Sequence, residues 1–294
     1  MIKASARPTS WWLSMLRRRA ERMYEEELDL SSPIVWASEE ERAACIAFFN
    51  AAFRAEESGL MQAHKLADEI EARAPELAEC LRLYGKEEGW HRELLTRFLA
   101  HIGGDIRPMG PTTRTFYRLY GRARRIDTIV LTNLMFETIG STTYRLALRS
   151  AKPHPTIRHM LTILTRDESF HVPLNVHFLR ECSSLGLGSS PGRQRAIHDL
   201  LFTALLASAY ASRRRARAFD NISFPTLARA YAEHLGRLFL HEPDLAFRPP
   251  EPLLWMCGLR SSELLAAGDP SVVSVEAAEA AVEREKVAVV ALLG

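Results

Sequence analysis

The sequence predicts an all-α protein, a four-helix bundle of two helical hairpins joined by a crossover, followed by additional helices. Three observations predict it. Helical periodicity dominates the 294-residue chain, and no run of alternating β-branched residues separates turn signals. The striped segments are punctuated by Ala74-Pro75, Gly103-Gly104 and Pro153-His154-Pro155, which stop or start helices. Finally, one residue pattern occurs twice: Glu57, Glu88 and His91 return 80 positions later as Glu137, Glu168 and His171.

Residues 1–37 read as an N-terminal extension. The apolar stretch Trp11 to Leu16 is too short for a secretory core before the arginines intervene. The bundle proper is expected over 38–183. Its first helix opens at Ser38, an N-cap with Glu41 three residues on, and carries a stripe of Ile46, Phe49, Phe53, Leu60 and Met61 to about Arg73. Pro75 suits the first position of the second helix, which runs past Glu88 and His91 to about Ile102. A turn-rich connection, Asp105 to Thr113, leads toward a third helix over about Ile126 to Ser150. The fourth covers about Thr156 to Cys182. Beyond the serine- and glycine-rich Ser183 to Gly192, residues 184–294 promise helices at Gln194–Phe219, Pro225–Leu240, Leu253–Ala267 and Val275–Leu293. These could serve as lid, pocket wall or homodimer surface.

Bulk composition excludes several classes. With 47% hydrophobic and 25% charged residues and a net charge of +2, the chain is globular, with no global field to attract nucleic acid. The arginine runs Arg17-Arg18-Arg19, Arg122 to Arg125 and Arg213 to Arg217 are expected as solvated helix faces. Four scattered cysteines, Cys45, Cys80, Cys182 and Cys257, form no C-x-x-C and predict buried free thiols in a reducing cytoplasm. No stretch is long and apolar enough to span a membrane.

The repeated pattern carries the chemistry. Residues i and i+3 share a helix face, so Glu88-x-x-His91 aims a carboxylate and an imidazole at one point, and Glu168-x-x-His171 repeats this from another helix. Glu57 and Glu137 add oxygen ligands, and the hairpin turns bring all four glutamates to one level. Four carboxylates and two imidazoles suit a pair of iron ions, or manganese in one or both positions, better than copper(I) or structural zinc. Without metal, burying so many carboxylates would be prohibitive. Glu56 competes with Glu57, and the 80-residue correspondence favours Glu57. Glu87 and Asp167 are candidates to hold the histidines from behind, with surface salt bridges the alternative. Tyr84 and Tyr144 lie on the ligand-bearing faces, as electron relays or as packing. Pro173 is expected to kink the fourth helix beside the site.

Over about residues 40–182 the chain resembles the ferritin-like di-iron carboxylate superfamily, and the ligand arrangement is the specific part of the likeness. Glu87 to Leu95 is also similar to a segment of plant-type desaturases. Leu164, by contrast, stands where arylamine N-oxygenases carry a third histidine. The resemblance implies a ferritin-like bundle and dioxygen as co-substrate. It also implies an oxidoreductase of hydroxylase, N-oxygenase or desaturase type, with an electron-donor protein and a small-molecule or carrier-bound organic substrate. Ser141, one turn after Glu137, is implied as a hydroxyl donor at the centre, its alternative being a bond to its own helix carbonyl. A ferroxidase or metal-handling role, or a substrate carried by nucleic acid or a carrier protein, are the competing readings.

Overall fold

The computed structural model describes residues 4–25, 28–123, 125–149, 154–187, 190–212, 222–245 and 247–268. Among these residues all regular structure is helical: α1 (Thr9–Arg22), α2 (Glu39–Ile70), α3 (Pro75–His101), α4 (Pro111–Gly121), α5 (Ile126–Leu148), α6 (Pro155–Ser184), α7 (Pro191–Ser212), α8 (Phe224–His241), α9 (Glu251–Met256) and α10 (Ser261–Ala266). The run Arg213 to Arg217 and the expected helix Val275–Leu293 lie outside the described residues.

The helix boundaries follow from local chemistry. Ser38 Oγ accepts the Glu41 amide at 3.2 Å, while the Glu41 carboxylate accepts the Ala37 amide at 2.7 Å, so two otherwise orphaned donors are satisfied at the start of α2. Pro75 opens α3 at a position that needs no amide hydrogen. Gly103, at φ 70°, ends α3 in the left-handed region. Gly258, at φ 69°, splits the single helix expected over 253–267 into α9 and α10.

Hairpins α2–α3 and α5–α6 form the bundle. Two apolar clusters fill its opposite ends. One gathers Leu66, Ile70, Leu77, Leu134, Phe170 and Phe178, and the other Phe49, Phe53, Leu95, Phe98, Met160 and Leu164. The glutamates and histidines of the repeated pattern lie in sequence between the two sets on every helix, so a polar layer is sandwiched in the core.

Two elements were not legible as helices. The connection between hairpins contains α4, whose Phe116 and Tyr120 pack on Phe136. The N-terminal extension contains α1, which buries Trp12, Leu13, Met15 and Leu16 against α3 and the core. Trp12 meets Phe170 edge-on, with ring centroids 5.4 Å apart. The extension is therefore part of the bundle's packing. Helix α6 is continuous through the buried Pro173, which leaves the Ser169 carbonyl without its helical amide partner. Cys45, Cys80 and Cys182 are buried free thiols, each pushed up to about 12 by burial, and Cys257 is half-buried.

Candidate metal centre

Five side chains from four helices converge in two overlapping groups. Glu56, Glu88 and His91 form one, and Glu88, Glu137 and His171 the other, with the ligand atoms of each group within 4.8 Å of one another. Glu88 belongs to both, as a carboxylate between two cations would. The sixth predicted residue, Glu168, is buried beside them and hydrogen-bonds Glu137.

The structure corrects one predicted ligand. Glu57 is turned out of the cluster and pairs with Arg54 of its own helix at 2.6 Å, with 28% of its side chain exposed. Glu56, 2% exposed, takes the inward place, and its Oε2 lies 3.2 Å from His91 Nδ1. One residue along a helix is a rotation of about 100°, so both cannot face the core. A sequence signal for this existed: Glu56-x-x-Gly59 and Glu137-x-x-Gly140 form a second repeat, offset by 81 rather than 80 (56 to 137, 59 to 140). A Cβ on Gly59 would lie 2.6 Å from Glu88 Oε2, and one on Gly140 would lie 3.4 Å from Glu168 Oε2. Each glycine makes room for the glutamate arriving from the neighbouring helix.

Both histidines turn Nδ1 inward and Nε2 outward. His91 Nε2 is 3.0 Å from Asp167, and His171 Nε2 is 3.0 Å from Glu87. The support is crossed: each hairpin's outer acid holds the other hairpin's histidine. Glu87 and Asp167 are thus buried partners of the histidines rather than surface salt bridges. Arg19, expected on a solvated face, is buried and joins the two acids, reaching Glu87 at 2.7 Å and Asp167 at 2.6 Å. Its guanidinium also lies 4.1 Å over the Phe170 ring. Arg166 adds contacts to Asp167 at 2.5 and 2.8 Å. Burial would raise the Asp167 carboxyl, but Arg166 and Arg19 hold it well below its ordinary range. A Glu87 or Asp167 kept anionic can only accept, so each Nε2 carries a hydrogen, and each Nδ1 faces the centre, where its lone pair would serve a cation.

Inside the ring of ligands the charges are unresolved. Burial, with Glu56 and Glu137 nearby, pushes Glu88 well above the usual carboxylate range. Burial with Glu137 and Glu56 does the same to Glu168. Glu137 is held down to about 2, against burial, by hydrogen bonds from Glu168 and by His171. Glu88 Oε1, Glu137 Oε2 and His171 Nδ1 are buried without a hydrogen-bond partner, although His171 Nδ1 lies 3.1 Å from Glu88 and 3.4 Å from Glu137. Buried polar atoms left unmatched and aimed at one point fit a missing cation pair. An all-nitrogen-and-oxygen donor set suits iron.

The other predicted residues divide. Tyr84 is buried and donates a short hydrogen bond to Glu137, and burial with Glu137 pushes its phenol well above the ordinary range. Tyr144 lies on the wall of a cavity over the carboxylates. Ser141 is not at the centre. Its buried hydroxyl donates to the Thr138 carbonyl at 3.2 Å, satisfied by its own helix as a helix serine without another acceptor must be. Thr142 and Thr143 bond outward to His234 and Tyr231 of α8.

A small cavity, partly open to solvent, lies on the carboxylate side of the centre. Its wall comprises Glu56, Glu88, Glu137 and Glu168 with Ala55, Gly59, Tyr84, Asn133, Phe136, Gly140 and Tyr144, all from α2, α3, α5 and α6. The later helices therefore pack outside the bundle and, among the described residues, form no part of that wall.

Residues 47–174, a little under half the chain, match the rubrerythrin family model. No curated protein and no solved structure matches the chain. No helix among the described residues is long and apolar enough to cross a membrane. With the helical bundle and the two acid–histidine groups, the matched stretch is similar to the rubrerythrin family, which belongs to the ferritin-like di-iron carboxylate superfamily.

Proposed function

We propose that this protein is a non-haem di-iron oxidoreductase that uses dioxygen to oxidise a small organic molecule, by hydroxylation, N-oxygenation or desaturation. The observation that carries the reading is the mostly apolar cavity lying directly against the four buried glutamates. A centre that only stored or oxidised metal would need a path for cations, whereas Phe136 and Tyr144 offer an apolar body a surface. Glu56, Glu88, Glu137, Glu168, His91 and His171 would hold the two irons, which supply two-electron activation of dioxygen when bound and reduced.

The chain's own residues set the conditions. Arg19, Glu87 and Asp167 fix the imidazoles. Tyr84 holds Glu137 through its phenolic hydrogen and keeps that oxygen from rotating toward the cavity. The two apolar clusters above and below the polar layer exclude bulk water. An electron-donor protein would have to supply reducing equivalents, because the four cysteines are dispersed and form no second redox site.

A metal-handling role, with iron or peroxide as substrate, is the second reading, and the rubrerythrin match favours it. Metal analysis and stopped-flow absorption separate the two. Two irons per chain and an oxygen-dependent transient, whose decay accelerates with an organic substrate and carries labelled oxygen into product, support the oxygenase. Fast transients indifferent to every organic compound and repeated on each iron addition favour metal handling. No bound metal sinks both.

A further inference from the structure

One polar side chain on the cavity wall is not used by the metal centre. Asn133, on α5 one turn before Glu137, is 3% exposed and lines the cavity. Its Oδ1 accepts a short hydrogen bond from the Tyr120 hydroxyl of α4. Its Nδ2 has no hydrogen-bond partner. A buried amide donor left unmatched is unfavourable, so Nδ2 calls for an acceptor.

We propose that Asn133 is the substrate-orienting residue of the cavity and takes an uncharged oxygen acceptor, a carbonyl in the first place, on a compact and otherwise apolar molecule. The proposal rests on the reading that the cavity admits an organic substrate. Three features argue for this ligand chemistry. The remaining polar groups on the wall are the carboxylates, the Tyr84 hydroxyl already committed to Glu137, and the Tyr144 hydroxyl. With two cations offsetting the four glutamates, the wall keeps no charge free to pair with a ligand ion, so a neutral molecule fits it. The Asn133 amide is a buried donor there without a partner, and it selects for a neutral acceptor.

The orientation of the amide is built in. Tyr120 also contacts the Ile129 carbonyl at 3.3 Å and stacks among Phe116 and Phe136, so its hydroxyl is fixed and holds Oδ1 away from the cavity. The four residues from Asn133 to Glu137 are a rise of about 6 Å along the helix. An acceptor held by Asn133 therefore leaves the next bonds of the molecule alongside Phe136 and over Glu137. That geometry selects which bond faces the centre.

The test uses the full chain loaded with two ferrous ions, without oxygen, titrated calorimetrically with cyclohexanone and with methylenecyclohexane. These probes differ in shape only by the exchange of a carbonyl oxygen for a methylene. The ratio of ketone to alkene affinity should fall about tenfold in Asn133→Leu, the size of one buried hydrogen bond, with two metals per chain retained. Tyr120→Phe, which frees the amide to rotate, should lower the same ratio by a smaller factor and keeps the test alive if Asn133→Leu does not fold. A ratio unchanged within twofold in both variants, or a wild-type protein that binds neither probe, overturns the proposal. Oxygen consumption is read separately. A lost ratio in a protein inert to oxygen would keep this binding role and reject the oxygenase, while the reverse pattern would reject Asn133 alone.

Discussion

Arg19 reaches Asp167 at 2.6 Å across the bundle, from a helix that lies outside the stretch matched to a known family. The contact explains how a site so rich in acids can be buried. Six carboxylates, Glu56, Glu87, Glu88, Glu137, Asp167 and Glu168, are each under a tenth exposed. Arg19 and Arg166 offset two of them, and with neutral histidines two divalent cations would offset the remaining four.

Arg19→Leu should therefore weaken metal binding by about 10–100-fold, the usual cost of removing a partner that orients a ligand. Arg19→Lys should recover part of it, since one ammonium can meet only one of the two acids well. Competition titration against a chelator gives the affinities. Full affinity in Arg19→Leu would mean that Glu87 and Asp167 orient the histidines unaided.

Glu56 and Glu57 make opposite predictions. Glu56→Ala should lower iron content from two toward one per chain, while Glu57→Ala, which breaks only a partly exposed pair with Arg54, should keep both and cost no more than about 1 kcal/mol. Elemental analysis and thermal melts decide it. The reverse result would show that α2 rotates when metal binds.

Gly59→Ala separates stability from metal binding. Alanine at a helix interior ordinarily stabilises by about 1 kcal/mol. Here the new methyl would stand 2.6 Å from Glu88 Oε2, so Glu88 must move from its place between the two groups. The expected outcome is a metal-free protein at least as stable as wild type and a metal-loaded one with weaker binding, seen as a smaller metal-induced rise in Tm. An unchanged rise would show that Glu88 has another usable position.

Acid should loosen the N-terminal helix. His177, buried on α6, is held down to about 4 by burial and by Arg180, and its Nε2 meets Thr9 Oγ1 at 3.1 Å. Its folded value lies below the ordinary 6.5, so the folded state favours the neutral ring. Stability from this source is complete above about pH 6.5 and is lost as pH falls toward 4, by roughly 3 kcal/mol at full charge. His177→Gln should flatten that part of the stability–pH curve in denaturant titrations. An equal slope in the variant would place the loss elsewhere.

Ser38, Pro75, Gly103 and the Glu-x-x-His spacing act through local backbone chemistry and helical periodicity, so the sequence by itself determined the bundle, its hairpins and five of its six inward acids and imidazoles: Glu88, His91, Glu137, Glu168 and His171. Three things were decided only by tertiary structure. Which of Glu56 and Glu57 faces inward depends on the rotation of α2 against α3, a one-residue matter that an apolar stripe flanking both cannot settle. Whether Ser141 serves the centre depends on a hydroxyl choosing between its own helix and a neighbour. The role of Arg19, some 70 residues from Glu87 and 150 from Asp167 in sequence, exists only once α1 has packed its tryptophan against α6. Local patterns fix elements because the backbone repeats every few residues. Long-range pairings between single charges carry no such period, and only the folded chain brings them together.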